Sequence, residues 1–186
     1  MSKASKAAER IRPPYPPLSD RLPERHEVVR GMLLPKAVPT YEHGDAQREL
    51  AVQLSPCHVR QGGYWWMAHE CEIDFGPGER YLPDMAGWDS RRVAQQPRGA
   101  RVRVVPQWIC EILSPSTAAR DQGAKQAIYH AVQVEHYWLL DLAAQTLTVL
   151  AWTAGSYRTE LVARPGQPVS APPFLRVELD LSAFFT

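Results

Sequence analysis

The stretch CEILSPSTAARDQGAKQAIYHAVQVEHYWLLD, residues 110–141, decides the fold. With Gln107–Ile109 before it, QWICEIL (107–113) is a short apolar run of the kind a strand buried on both faces requires. Ser114-Pro115-Ser116-Thr117 interrupts it and supplies a helix N-cap. Residues 118–133 are alanine-rich helix material. HYWLLDL (136–142) then returns as a second apolar strand.

Working outward, TLTVLAW (146–152) and SYRTELV (156–162) extend this into a meander, with turns at 143–145 and 153–155. LRVELDL (175–181) reads as a last strand. Upstream, RYLPDMAGW (80–88) is predicted as one strand carrying Asp84 directly after Pro83. YWWMAHECEIDF (64–75) is predicted as another, with Cys71, Ile73 and Phe75 alternating against Glu72 and Asp74. Gly76-Pro77-Gly78 turns between them. Thr40 caps a helix from Tyr41, whose apolar stripe is Ala46, Leu50 and Leu54; Pro56 ends it. RHEVVRGMLL (25–34) is a hairpin turning at Arg30-Gly31. Residues 1–22, interrupted by Pro13, Pro14, Pro16 and Pro17, are expected as an extended or flexible arm, and 23–186 as one domain. The expected class is α/β, a mixed sheet flanked by helices.

Composition narrows the function. Hydrophobic residues make up 45% and charged residues 22%, which excludes a disordered chain. A net charge of +1 argues against coating nucleic acid by bulk electrostatics, but not against local phosphate contacts. No apolar run reaches the ~20 residues of a membrane span. The N-terminal stretch lacks the apolar core of a signal peptide, so a cytoplasmic location is expected. Cys57, Cys71 and Cys110 lack C-x-x-C spacing and are expected as reduced, mostly buried thiols rather than zinc ligands.

The chemistry is carried by acids set in apolar strands. Glu111 lies between Cys110 and Ile112, and Asp84 follows Leu82-Pro83. Burying a carboxylate is costly unless it is paired or holds a metal. Two of them on neighbouring strands suit Mg²⁺, which takes few protein oxygens and keeps several waters. Among 21 basic residues only four are lysine: Lys3, Lys6, Lys36 and Lys125. Lys125 shares a helix face with Asp121 and Tyr129 at i, i+4 spacing, and the helix must fold back over the Glu111 strand. A cation-activated water attacking phosphorus, with Lys125 orienting it or offsetting developing charge, is the chemistry this trio permits. The alternative is an exposed strand acid and a surface Lys125–Asp121 pair.

From about Arg25 onward the chain resembles the Uma-two family of restriction-endonuclease-like proteins, in the PD-(D/E)XK nuclease superfamily. The resemblance rests on HEVVRGML (26–33), His43 at the start of the first helix, YLPDMAGW (81–88), and the whole of 110–141. It implies a restriction-endonuclease-like fold, a Mg²⁺-dependent DNA endonuclease (Mn²⁺ as a substitute), and Asp84, Glu111 and Lys125 as the catalytic trio, with the Ile112 carbonyl completing the metal site. The superfamily's lysine lies two residues after the acid, where this chain has Leu113; in the family it has moved to the following helix, here Lys125. Nucleases of this fold commonly pair to cut both strands, so the resemblance also allows a homodimer. The competing reading is an inactive nuclease scaffold that binds nucleic acid or a protein.

Several residues are secondary candidates. Glu72 is either a further acid of the site or an exposed strand glutamate. Glu27 matches the family's hairpin glutamate. His43 is either a phosphate or proton-transfer group or a helix-start packing residue. Asp121 is expected to orient Lys125 or the helix N-terminus. Tyr129, Trp65, Trp66, Trp108 and Trp138 are expected in the core. Arg91, Arg92, Arg98, Arg101 and Arg103, in the loop 89–103, are candidates for DNA-backbone contact.

Overall fold

Arg30 and Gly31 take φ values of 51° and 74°, a pair of positive torsions that closes a tight hairpin with the twist paired strands need. They join β2 (His26–Val29) to β3 (Met32–Pro35). The structure is a computed structural model that describes residues 9–10, 25–114 and 121–185, with the backbone alone at 9, 10 and 121. Within the expected N-terminal arm, β1 (Glu9–Arg10) pairs with β3, and the rest of 1–22 lies outside the described residues.

Two sheets are built. The first is antiparallel, in the order β1-β3-β2-β6-β5, with β5 at Ile73–Gly76 and β6 at Glu79–Tyr81. The second contains β4 (Trp65–His69), β7 (Met85–Asp89), β8 (Trp108–Leu113), β9 (His136–Asp141), β10 (Thr146–Trp152) and β11 (Tyr157–Ala163). Its order is β11-β10-β9-β8-β7-β4, mixed because β8 and β9 run parallel while the other neighbours are antiparallel. The meander from 136 to 162 therefore forms as the sequence predicts. Parallel neighbours need a crossover, and the helical segment between β8 and β9 provides it.

Three elements differ from the sequence reading. The single strand expected over 64–75 is two strands in different sheets, broken at Glu70, whose φ is 44°. The strand expected over 80–88 is likewise split into β6 and β7, because Pro83 lacks a ladder donor. Asp84 falls in that break. LRVELDL is no strand: Val169 and Leu179 make an isolated bridge, and Leu181–Phe184 form a 3₁₀ turn. Of its alternating apolar residues, Leu179 and Leu181 are buried in the core with the flanking Phe174 and Phe184, Val177 packs against it, and Leu175 is exposed.

The helix α1 (Tyr41–Leu54) starts where Thr40 Oγ1 accepts the His43 N–H at 3.3 Å. Its Ala46, Leu50 and Leu54 cover one face of the mixed sheet, where they meet Trp108, Cys110, Ile112 and Trp138. The opposite face packs Ile109, Leu113, Tyr137 and Leu139 against Tyr129 of α2 (Gln126–Ala131) and Ile73 and Tyr81 of the antiparallel sheet. α2 is the described part of the helix expected over 118–133; a π-helical turn, Asp121–Lys125, leads into it, and the expected cap at 115–117 lies outside the described residues. All six residues of β8 are buried, three toward each layer. That places Glu111 on the α2 side. Among the described residues no helix is long and apolar enough to cross a membrane.

Candidate active site

β7 pairs with β8 up to Met85–Cys110, so Asp84 and Glu111 stand at the next register position. Asp84 does not continue the ladder with its backbone. Its side chain does so instead: Oδ2 accepts the Ile112 N–H at 2.7 Å. In a strand the N–H and C=O of one residue leave on the same edge, so the Ile112 carbonyl also faces the Asp84 side.

α1 holds Asp84 from one face. Gln47 and His43 are one helical turn apart and lie on the same side. Gln47 Nε2 donates to the Asp84 carbonyl at 2.6 Å, and His43 Nε2 lies 3.1 Å from Oδ2. His43 Nδ1 is buried with no hydrogen-bond partner. His43 is thus a site residue as well as the residue held by the Thr40 cap.

Glu111 is held from α2 and the π-helical turn before it. Lys125 Nζ and Tyr129 Oη both donate to its Oε1, at 2.9 and 2.8 Å. Burial, and then the Glu111 charge, push the Tyr129 hydroxyl far above the ordinary tyrosine range, so it stays a donor. Lys125 also sits 3.1 Å from Glu27 Oε1, and the same Glu27 oxygen accepts the Leu82 N–H at 3.0 Å. The hairpin glutamate therefore reaches the site through Lys125. The side chain of Asp121 lies outside the described residues.

Sequence reasoning missed three participants. Lys36 Nζ donates to Asp84 Oδ1 at 2.8 Å and to the Leu82 carbonyl at 2.6 Å. Burial works to lower its pKa, but Asp84 and Glu111 outweigh that and hold it above the usual lysine value. Glu70 Oε1 lies 3.4 Å from Lys36, and Arg25 bonds both Glu70 oxygens. Burial opposes ionisation of Glu70, but Lys36 and then Arg25 prevail and lower its pKa. Gln47 is the third. The scarcity of lysine that singled out Lys125 pointed equally to Lys36; the other two had no signal at sequence level.

The remaining candidates lie elsewhere. Glu72 takes Arg101 at 3.0 Å and Arg80 at 3.5 Å, while Arg103 pairs with Asp74 at 3.3 Å. Arg91 pairs with Asp89 and stacks over Tyr64, and Arg92 pairs with Glu135. Arg91 and Arg92 follow the far end of β7, roughly 20 Å along the chain from Asp84 at the rise of an extended strand. Arg98 is exposed. Trp65, Trp108, Trp138 and Tyr129 are core, as expected, and Trp66 is half-buried.

The donor set fits a hard divalent cation. Three buried carboxylates lie here: Glu27 and Glu111 share the Lys125 ammonium, and Asp84 lies between the Lys36 ammonium and the His43 imidazole. Among the described residues no three acid, imidazole or thiol groups converge as a closed metal cluster. Carboxylate and carbonyl oxygens are the donors that Mg²⁺ takes, through one or two carboxylates with water in its other positions.

No curated protein matches the chain. A solved structure does: a "putative nuclease belonging to DUF820" from Anabaena variabilis superimposes with a TM-score of 0.73 at 23% identity, covering 88% of this chain and 93% of that one. That similarity shows the restriction-endonuclease-like α/β fold. The profile of the Uma2 family, described as "Putative restriction endonuclease", matches residues 14–183, and the chain belongs to that family.

Proposed function

We propose that the chain is a divalent-cation-dependent DNA endonuclease that hydrolyses phosphodiester bonds, with Asp84 and Glu111 as cation ligands. One observation carries this reading: the two acids stand buried at facing register positions of β7 and β8, Asp84 bonded by Lys36 and Glu111 by Lys125. The family's description and the nuclease named above support the reaction class.

Mg²⁺, with Mn²⁺ as a substitute, would be held by Asp84, Glu111 and the Ile112 carbonyl. When bound, such a cation neutralises charge at phosphorus and acidifies water. The protein's own groups do the positioning. His43, Gln47 and the Ile112 N–H fix Asp84 from three directions. Tyr129 and Lys125 hold Glu111 Oε1, and Lys125 places a fixed positive charge beside the site where phosphate charge develops. Arg91, Arg92, Arg98, Arg101 and Arg103 are proposed to touch the DNA backbone away from the scissile bond. Four of them are already matched by carboxylates, which limits that contribution. A homodimer would present two such sites to the two strands.

Cleavage of single-stranded, duplex and branched DNA with Mg²⁺, Mn²⁺ or chelator tests the reading. Asp84→Ala and Glu111→Ala should each abolish cation-dependent cleavage in a folded protein. Cleavage persisting in both sinks the assignment. The engagement of both acids by lysines favours a second reading, an inactive scaffold that binds nucleic acid or protein. In that case Mg²⁺ and Mn²⁺ give no thermal stabilisation dependent on Asp84 and Glu111.

A further inference from the structure

Lys36 has no part in the trio, yet it is built into the site. Its backbone N–H donates to the Arg25 carbonyl at 2.5 Å, which pins the end of β3. Its side chain, 8% exposed, turns inward and binds two oxygens, the Leu82 carbonyl and Asp84 Oδ1. A carbonyl and a carboxylate oxygen are the donors a hard cation would take. Here a cation carried by the chain takes them. A second seat lies beside the first: Glu70 Oε1 is 3.4 Å from the same ammonium, and Glu70 is 30% exposed.

We propose that Lys36 is a tethered competitor for the divalent cation at Asp84, holding Oδ1 until the ion arrives and then resting on Glu70. The proposal depends on the reading of Asp84 as a cation ligand. Without a counter-charge, buried Asp84 would carry an uncompensated negative charge, which is strongly destabilising. Lys36 supplies that charge in the absence of the ion. Displacing it would normally strand a buried ammonium, and Glu70 removes that cost because the lysine already lies at its edge. The ion's apparent affinity is then lowered by the population in which Lys36 occupies Asp84.

Calorimetric titration of Mn²⁺ into the full chain tests this on four proteins: wild type, Lys36→Met, Glu70→Gln and Asp84→Asn. Lys36→Met should bind Mn²⁺ about tenfold more tightly, a change that corresponds to one modest ion-pair energy. Glu70→Gln, which leaves Asp84 as the one carboxylate bonded to Lys36, should bind more weakly. Asp84→Asn should not bind. Unchanged or weaker binding by Lys36→Met, with binding still lost in Asp84→Asn, overturns the competitor and leaves the cation site standing. Binding retained in Asp84→Asn removes the site itself and the proposal with it. Circular dichroism checks each fold. If Lys36→Met does not fold, Glu70→Gln decides, and unchanged or tighter binding in that variant overturns the proposal.

Discussion

The backbone N–H of Ile112 donates to Asp84 Oδ2 across 2.7 Å, so a side chain completes the ladder between β7 and β8 where the backbone of β7 has not begun. Pro83 makes this arrangement possible by ending β6 and removing a donor from the break. Asp84 therefore has a structural duty and a proposed chemical one. The two can be separated.

Asp84→Asn keeps an oxygen able to accept from Ile112 but loses the charge that holds Lys36. Because Lys36 keeps Glu70 as a partner, the cost should be about 2 kcal/mol, below the range for stranding a buried charge. Urea unfolding measures it. Cation-dependent cleavage should be lost entirely. A stable, fully active Asp84→Asn would show that the residue serves the ladder alone.

Glu111 and Lys125 should be strongly coupled. Lys125→Met leaves Glu111 and Glu27 facing each other without their shared ammonium, a loss of about 3–5 kcal/mol by analogy with broken buried pairs. Glu111→Gln leaves Lys125 with Glu27 and costs less. In a double-mutant cycle read by urea unfolding, the two changes together should cost less than their sum by about 1–3 kcal/mol. Simple additivity would mean that the 2.9 Å contact contributes nothing.

What the sequence revealed follows from local rules. The hairpin at Arg30-Gly31, the cap at Thr40 and the buried run WICEIL each depend on neighbours within a few residues, and each was legible. The face shared by Lys125 and Tyr129 followed from helical spacing. The break at Pro83 had a signal, since proline lacks a ladder donor, but the break at Glu70 has no glycine or proline to mark it, and the choice of sheet is a tertiary matter. Lys36, just past β3, Glu70, just past β4, and Gln47 of α1 converge only after the two sheets pack. Lys36 could have been suspected from the rarity of lysine, but nothing near it in sequence told it apart from a loop residue.

The thiols should resist alkylation. Burial pushes the Cys71 thiol up to about 11 from an ordinary value near 9, and pushes the buried Cys110 thiol up as well. Since the thiolate is the nucleophile, native Cys71 at pH 8 should react with iodoacetamide roughly a hundredfold more slowly than in urea. Its rate should keep rising with pH until about 11. Mass spectrometry of timed samples gives both rates. Equal native and denatured rates would mean that the 70–72 segment opens readily.

Alkaline pH should unfold the protein through its buried tyrosines. Burial, first, and then nearby carboxylates raise Tyr81 and Tyr129, and burial alone raises Tyr157. In the unfolded chain these groups lose their protons near pH 10, whereas the folded chain retains them to higher pH. Between those limits the unfolded state binds fewer protons, so stability falls as pH rises. It should be flat with respect to these groups below about pH 10, then drop by up to about 1.4 kcal/mol per pH unit for each tyrosine. Urea midpoints from pH 8 to 11.5 measure the slope. Tyr129→Phe should reduce it by one tyrosine's share. At neutral pH the same variant should lose about 1–2 kcal/mol, because Glu111 Oε1 is left with Lys125 but without the hydroxyl 2.8 Å away. A Tyr129→Phe protein with the wild-type alkaline slope would place that titration on other groups, and the hydroxyl would no longer count as a buried donor to the site.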